Sequence, residues 1–380
     1  MGRSLLRVAC AVFLSVMLLV PKTVLAFDTQ PKIVAATAVC LTDGNGNVLY
    51  EKNADQTMAM ASITKIMTAM VALDSGISLD TTYPFVAKEY IGAAQLAGYA
   101  EGDIVSLEEL LMVTLVFSGN DAAYNVAVAV AGSQEAFVER MNEKAAAIGM
   151  TSTHFMNPHG LEEDGHYSCA SDLCIMGRYA MEHYPFIRRA VITRSIDVTP
   201  GGYELTLYST DDLMERYEGL RGIKTGRTES GYSFLGSARR GRVTLYSAVL
   251  CCEDDWERWD DTAAALDWGF SLYDERTLAQ AGSIVRVTPW QDGFWLRCAV
   301  TPRHNVTGMV FDGGKLSYRT VMYKPGTLAA AGSTYGTTLW NQNGHYVGSV
   351  SYKTSTPATG IPAWNPFALP LVEGSEGLVS

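Results

Sequence analysis

The spacing of apolar residues changes several times along the chain. Residues 33–41 form an apolar run that breaks at Asp43-Gly44-Asn45-Gly46-Asn47 and resumes at Val48-Leu49-Tyr50. The break is made of residues that tolerate positive φ, so this stretch predicts a β-hairpin. Ile63, Ile66, Met67, Met70 and Val71 then recur at intervals of three and four, which predicts a helix starting near Ser62 and packed on a core. Ser106-Leu107-Glu108-Glu109 has the form of a capping box ahead of a strongly apolar segment, 110–117, expected as a buried helix. Ser118-Gly119-Asn120-Asp121 ends it and can cap the next helix, 122–131. Further helices are expected over 134–148, stopped by Gly149, and over 171–183.

Strand character returns at 219–226. Residues 233–238 and 243–250, joined by Arg239-Arg240-Gly241, read as a hairpin, and a helix follows over 256–270. Strands from both ends of this region must share one antiparallel sheet, with the helical block inserted between them, which makes 27–275 an α+β domain. Short β-type runs at 283–287, 294–300, 316–323 and 346–352, separated by Gly, Pro and Asn, predict a small all-β domain over 280–355. Pro357, Pro362, Pro366 and Pro370 forbid a continuous helix in the tail, 356–380, so an amphipathic membrane-lying helix is not expected there.

The 380-residue length and 48% hydrophobic content suit a large domain with a smaller companion. Arg3 and Arg7 precede an apolar run, 8–20, and Val24-Leu25-Ala26 places small residues where a signal peptidase reads. The run is about 13 residues, short of the ~20 that span a bilayer, so 1–26 reads as a cleaved export signal. Its loss removes Arg3, Arg7 and Lys22 and no acid, taking the formal charge from −11 to −14. So acidic a chain is not expected to bind nucleic acid. Cys40, Cys169, Cys174, Cys251, Cys252 and Cys298 lack zinc-knuckle spacing and read as buried thiols, although an exported protein could pair some.

Three short motifs carry candidate chemistry. Ser62-Ile63-Thr64-Lys65 puts a hydroxyl at a helix start and an amine one turn on, on the same face. Such a serine needs a base, and a lysine serves only when desolvation or a neighbouring cation keeps it neutral. The N–H of Ser62 could also hold an oxyanion. Ser118 and Asn120, on a tight loop, can relay a proton and hold a peptide group. Lys224-Thr225-Gly226, at a strand end, offers a cation for a carboxylate, a hydroxyl, and a glycine that lets a substrate backbone lie against the strand. Each of the first two motifs arises on the order of once by chance in such a length, and the third about ten times more rarely. An S-x-x-K alone is more simply a capping serine before a solvated lysine. His159 and His166 show no metal-binding spacing, and neither a metal nor another cofactor is expected.

The order S-x-x-K, S-x-N, K-T-G is the set known for penicillin-binding proteins and serine β-lactamases. Over 33–275 the chain resembles the low-molecular-mass D-alanyl-D-alanine carboxypeptidases of peptidase family S11. The likeness is carried by longer strings, among them Ala61 to Thr68, Ser118 to Ala122, Asn157-Pro158-His159-Gly160-Leu161, His166-Tyr167-Ser168 and Gly222 to Thr228. It implies a β-lactamase/transpeptidase-like domain followed by a small β spacer. It implies Ser62 as acylated nucleophile, Lys65 as proton acceptor, Ser118 and Asn120 as the second motif, and Lys224, Thr225 and Gly226 as substrate-binding. The backbone N–H of Arg227 would be the second oxyanion donor, and Arg258 would face the substrate's terminal carboxylate. The implied partners are peptidoglycan stem peptides ending in D-Ala-D-Ala and, as covalent inhibitors, β-lactam antibiotics, met outside the cytoplasm; membrane association is left open. Two alternatives share the fold. A serine β-lactamase would need a second base for deacylation, and no convincing E-x-x-L-N string is present. A non-catalytic wall-peptide binder would typically lack a motif residue, and none is missing.

Overall fold

The structure, a computed structural model, describes residues 30–87, 95–289, 297–311, 315–322, 331–332, 334–355 and 376–379. The leader expected at 1–26 and the tail prolines lie outside the described residues.

Strand β1 (Ala38–Asp43) is buried throughout and pairs antiparallel with β2 (Val48–Lys52). Their turn closes as its composition predicts: Asp43 Oδ1 accepts from the N–H groups of Asn45 and Asn47, and Gly46 takes φ +84°. β1 starts later than the apolar run at 33–41. The N–H groups of Val34, Ala35 and Ala36 donate to the Asp261 carboxylate at 2.8, 2.9 and 2.7 Å, so a side chain satisfies donors that a strand would have given to a ladder.

A 3-10 turn, Ala61–Ile63, leads into helix α1 (Thr64–Asp74), as the periodicity predicts. The short strands β3 (Thr82–Pro84) and β4 (Ile104–Ser106) pair ahead of α2 (Leu107–Met112). The capping box at Ser106 is only half made. Ser106 Oγ accepts from the Glu109 N–H, but the Glu109 carboxylate accepts from the Tyr99 hydroxyl instead of turning back to the cap. α2 then widens into a π-helical segment, Val113–Phe117, which ends at Ser118 in the left-handed region, φ 69°. α3 (Asn120–Ala131) and α4 (Gln134–Ile148) follow, α4 capped by Ser133 and closed by Gly149 at φ +90°. α5 (Ala170–His183), the short α6 (Pro185–Ala190), and the paired strands β5 (Ser195–Val198) and β6 (Leu205–Tyr208) complete the inserted block.

The chain returns through β7 (Leu220–Thr228), β8 (Gly231–Arg240) and β9 (Val243–Cys252) to α7 (Asp255–Ser271). The sheet order is β2-β1-β9-β8-β7, antiparallel throughout, so both ends of the domain meet in one sheet as expected. Alternate residues of the central strands feed two cores. Ala248, Leu250 and Leu235 join the helical block, whereas Leu245 and Phe234 pack with Trp259, Ala265 and Leu266 of α7. Covered on both faces, β9 has only one residue that is not buried.

The second β system starts at β10 (Tyr273–Ala279), which pairs with β13 (Val306–Phe311). Strands β11 (Arg286–Pro289), β12 (Arg297–Pro302), β14 (Leu316–Met322), β15 (Thr334–Gln342), β16 (His345–Thr354) and β17 (Glu376–Val379) form a six-stranded sheet in the order β11-β12-β16-β15-β14-β17. Trp340, Tyr352, Val300 and Val350 fill its core. The Tyr352 hydroxyl donates to Thr338 Oγ1 at 2.8 Å, satisfying the one polar atom of that ring. The six described cysteines are free and buried.

Candidate active site

Ser62 sits inside the 3-10 turn, half-buried, behind Ala61 at φ +52°. A non-glycine residue at positive φ is held only by its surroundings. Those surroundings are the loop at 157–161. Gly160 takes φ +87°, and a Cβ there would lie 2.0 Å from the Ala61 carbonyl oxygen. Asn157 shapes the loop by accepting from the Gly160 N–H and donating to the Leu161 carbonyl. The loop in turn offers two carbonyls to α1: Pro158 accepts from Thr68 Oγ1 at 2.6 Å and His159 from Lys65 Nζ at 2.5 Å.

Lys65 is wholly buried, and its Nζ has three neighbours: Ser62 Oγ at 2.9 Å, Asn120 Oδ1 at 2.7 Å and the His159 carbonyl. Two of the three are oxygens that can only accept. A neutral amine has two N–H groups and one lone pair, so satisfying both acceptors leaves the lone pair for the Ser62 hydroxyl proton. Burial holds Lys65 well below the usual lysine range, Lys224 pushes the same way, and Asp121 partly opposes. Asp121 is buried too, its carboxylate accepting from the N–H groups of Ala97 and Ala122, and burial raises it.

The second motif enters from the π-helical end of α2. Extra residues in such a turn re-aim the chain, and here the left-handed Ser118 follows, with Asn120 opening α3 toward Lys65. Both are buried.

The third motif lies on β7. Gly226 faces the Ser62 turn: a Cβ there would stand 3.0 Å from the Met60 carbonyl oxygen and 3.1 Å from the Ala61 Cβ. Thr225 Oγ1 lies 2.6 Å from Thr210 Oγ1, which fastens β7 to the loop beside it. Lys224 is buried, and desolvation, with Arg258 adding repulsion and Asp211 opposing, lowers it to about 7. Arg227 is exposed, its guanidinium 5.2 Å from the centre of the Tyr232 ring.

Arg258, expected to face a carboxylate directly, lies buried at the start of α7. It donates to the carbonyls of Gly226 at 3.1 Å and Ser233 at 3.3 Å, and it pairs with Asp255. It therefore braces β7 against β8 and adds positive charge behind Lys224. The geometry thus brings Ser62, Lys65 and Asn120 into contact and sets the K-T-G strand against the Ser62 turn.

Several contributors had no sequence signal as site residues. The His159 carbonyl is a main-chain atom whose identity the sequence does not encode, although the N-P-H-G string marked its loop. The His166 ring links two segments beside the site: its Nδ1 accepts from the Met156 N–H at 3.0 Å and its Nε2 lies 2.8 Å from Thr64 Oγ1, next to Lys65.

Comparisons with known proteins agree with this geometry. A family model described as D-alanyl-D-alanine carboxypeptidase matches residues 25–253. The D-alanyl-D-alanine carboxypeptidase DacF of Bacillus subtilis is 33% identical over 269 residues, 66% of this chain, and the match spans about two thirds, 66%, of that relative's length. Among solved structures, the Streptomyces K15 DD-transpeptidase superposes with a TM-score of 0.61 at 29% identity, covering 64% of this chain and 100% of that one. Penicillin-binding protein 5 of Haemophilus influenzae superposes with a TM-score of 0.64 over 86% of this chain and 98% of its own. At 23% identity that likeness speaks for the fold, with most of the second β system inside it. Matched by the family model over more than half its length, the chain belongs to peptidase family S11, the D-alanyl-D-alanine carboxypeptidases.

Proposed function

We propose that this chain is a serine D-Ala-D-Ala carboxypeptidase that trims peptidoglycan stem peptides outside the cytoplasm. The observation that carries the reading is the buried Lys65 amine, 2.9 Å from Ser62 Oγ with both of its N–H groups already directed at acceptors. In this scheme Ser62 Oγ attacks the carbonyl of the penultimate D-alanine while Lys65 takes the hydroxyl proton. The N–H groups of Ser62 and Arg227 hold the oxyanion. The C–N bond breaks, the terminal D-alanine leaves as an amine protonated through Ser118, and water hydrolyses the acyl-Ser62 ester with Lys65 again as base. Asn120 orients Lys65 and a substrate amide. Lys224 and Thr225 grip the free C-terminal carboxylate, with Arg258 strengthening the local positive charge. Gly226 leaves room for the peptide backbone along β7. A β-lactam would acylate Ser62 in the same way. Export rests on the leader-like residues 1–26.

The test uses protein starting at residue 27 and a peptide ending in Lys-D-Ala-D-Ala. Mass spectrometry should show loss of one D-alanine with the wild type and none with Ser62→Ala, and penicillin should add its mass to the wild type only. A wild-type mass unchanged by penicillin, with the peptide intact, would overturn the reading.

A further inference from the structure

Asp211 stands beside the third motif and has no part in the chemistry so far assigned. It precedes the 3-10 turn Asp212–Glu215, and its Oδ1 caps that turn by accepting from the N–H groups of Leu213 and Met214 at 3.0 and 3.2 Å. The residue is only 8% exposed, and its Oδ2 is buried with no hydrogen-bond partner among the described residues. The neighbouring Thr210 hydroxyl, 2.6 Å from Thr225 Oγ1, pins this loop to β7 one residue past Lys224.

A cap does not need the second oxygen. Asparagine and serine cap a helix start about as well as aspartate, and a buried carboxylate oxygen without a partner is destabilising unless charge compensates it. The compensating charges are Lys224 on β7 and Arg258 on α7, both of which act on Asp211. Arg258 already has Asp255 as a partner and also feels Asp212 and Cys252. Lys224 is opposed by Arg258, and Lys224 in turn presses on Lys65; Asp211 is the acid that supports it.

We infer that Asp211 is a positioning residue for the carboxylate-binding half of the site: its second oxygen is the built-in counter-charge that keeps Lys224 an ammonium before substrate arrives. The inference rests on the reading above that Lys224 grips the substrate's carboxylate. Burial raises Asp211 to about 6 and lowers Lys224 to about 7. The counter-charge therefore forms as the pH rises toward the range in which Lys224 would lose its proton. Below that range Lys224 is protonated without help.

The experiment measures kcat and KM between pH 6 and 9 for wild type, Asp211→Asn and Asp211→Ser, both of which keep a cap. Two peptides are compared, one ending in Lys-D-Ala-D-Ala with a free carboxylate and the same peptide as its C-terminal carboxamide. Both variants should stay within about twofold of wild type at pH 6 and fall about tenfold below it at pH 8 on the free acid, through KM, which is one pKa unit of lost support for Lys224. The carboxamide should show no such change. A variant profile that superimposes on wild type, or an equal loss on both peptides at every pH, would overturn the role of Asp211. A wild type that turns over the carboxamide as well as the acid would instead sink the carboxylate reading itself.

Discussion

Lys65 Nζ lies 2.9 Å from Ser62 Oγ, close enough to take its proton without an intervening water. If that is the proton acceptor, removing the amine while keeping the length of the side chain stops acylation without emptying the pocket. Lys65→Met is therefore expected to form the penicilloyl adduct 10²- to 10⁴-fold more slowly than wild type, about the usual contribution of a positioned base. A time course of intact mass after mixing with penicillin measures this. Adduct formation at the wild-type rate would remove Lys65 from the role.

The two buried lysines of the site should leave opposite marks on a pH profile. As the proposed base Lys65 would work as the neutral amine, so activity should rise as it loses its proton, and burial with repulsion from Lys224 brings that loss well below the ordinary lysine range. As the proposed carboxylate grip Lys224 would work as the ammonium, which is lost as the pH rises through about 7. For a peptide with a free C-terminal carboxylate, kcat/KM should therefore fall on the alkaline side from about pH 7. Lys224→Ala should raise KM by about 10- to 100-fold at pH 6.5, the worth of one charged hydrogen bond. A profile that stays flat to pH 9 would contradict the assignment of Lys224.

Gly160 tests the loop that supports the Ser62 turn. At φ +87° with its missing Cβ only 2.0 Å from the Ala61 carbonyl oxygen, it admits no other residue unless the turn holding Ser62 moves. Gly160→Ala should lower the melting temperature and slow acylation at least tenfold, because the shift falls on the main chain one residue before Ser62. Gly132→Ala is the control: it also has a positive φ, +81°, but nothing stands within 4 Å of its Cβ. That variant should acylate at the wild-type rate.

These results also mark what the sequence could disclose. Ser62 and Lys65 were legible because their relation is local: three residues along a helix start fix it. The sheet that joins both ends of the domain was legible because its strands are bounded by Gly and Asn turns and the helices by their period. The support of Lys65 by the His159 carbonyl was not, since any residue has a carbonyl and only the φ of Gly160 aims this one. Asp211 was hidden for a different reason. Its neighbours Lys224 and Arg258 come from β7 and α7, and no spacing rule connects them. Arg258 was found, but its contacts with the Gly226 and Ser233 carbonyls depend on how α7 lies on the sheet. Residues 34–36 misled because an apolar run looks like a strand whether its N–H groups meet a ladder or, as here, the carboxylate of Asp261.

The buried histidines beside the site predict its acid sensitivity. His166 Nδ1 accepts from the Met156 N–H, so its proton sits on Nε2 and is donated to Thr64 Oγ1. Burial lowers His166 to about 4 and His159 to about 3, which means the folded protein prefers both rings neutral. An unfolded histidine titrates near 6.5. The stability tied to the neutral ring is therefore complete above about pH 6.5 and is lost as the pH falls toward 4, by roughly 2–3 kcal/mol for His166 alone. Replacing His166 by Phe leaves Thr64 Oγ1 and the Met156 N–H without partners, at about 1–3 kcal/mol, when measured at pH 7. The same variant has no proton to gain at this position, so its stability should drop less than that of the wild type between pH 7 and 4.5. Urea unfolding of both proteins at the two pH values decides the matter, and equal drops would show that His166 is not one of the groups whose protonation loosens the site.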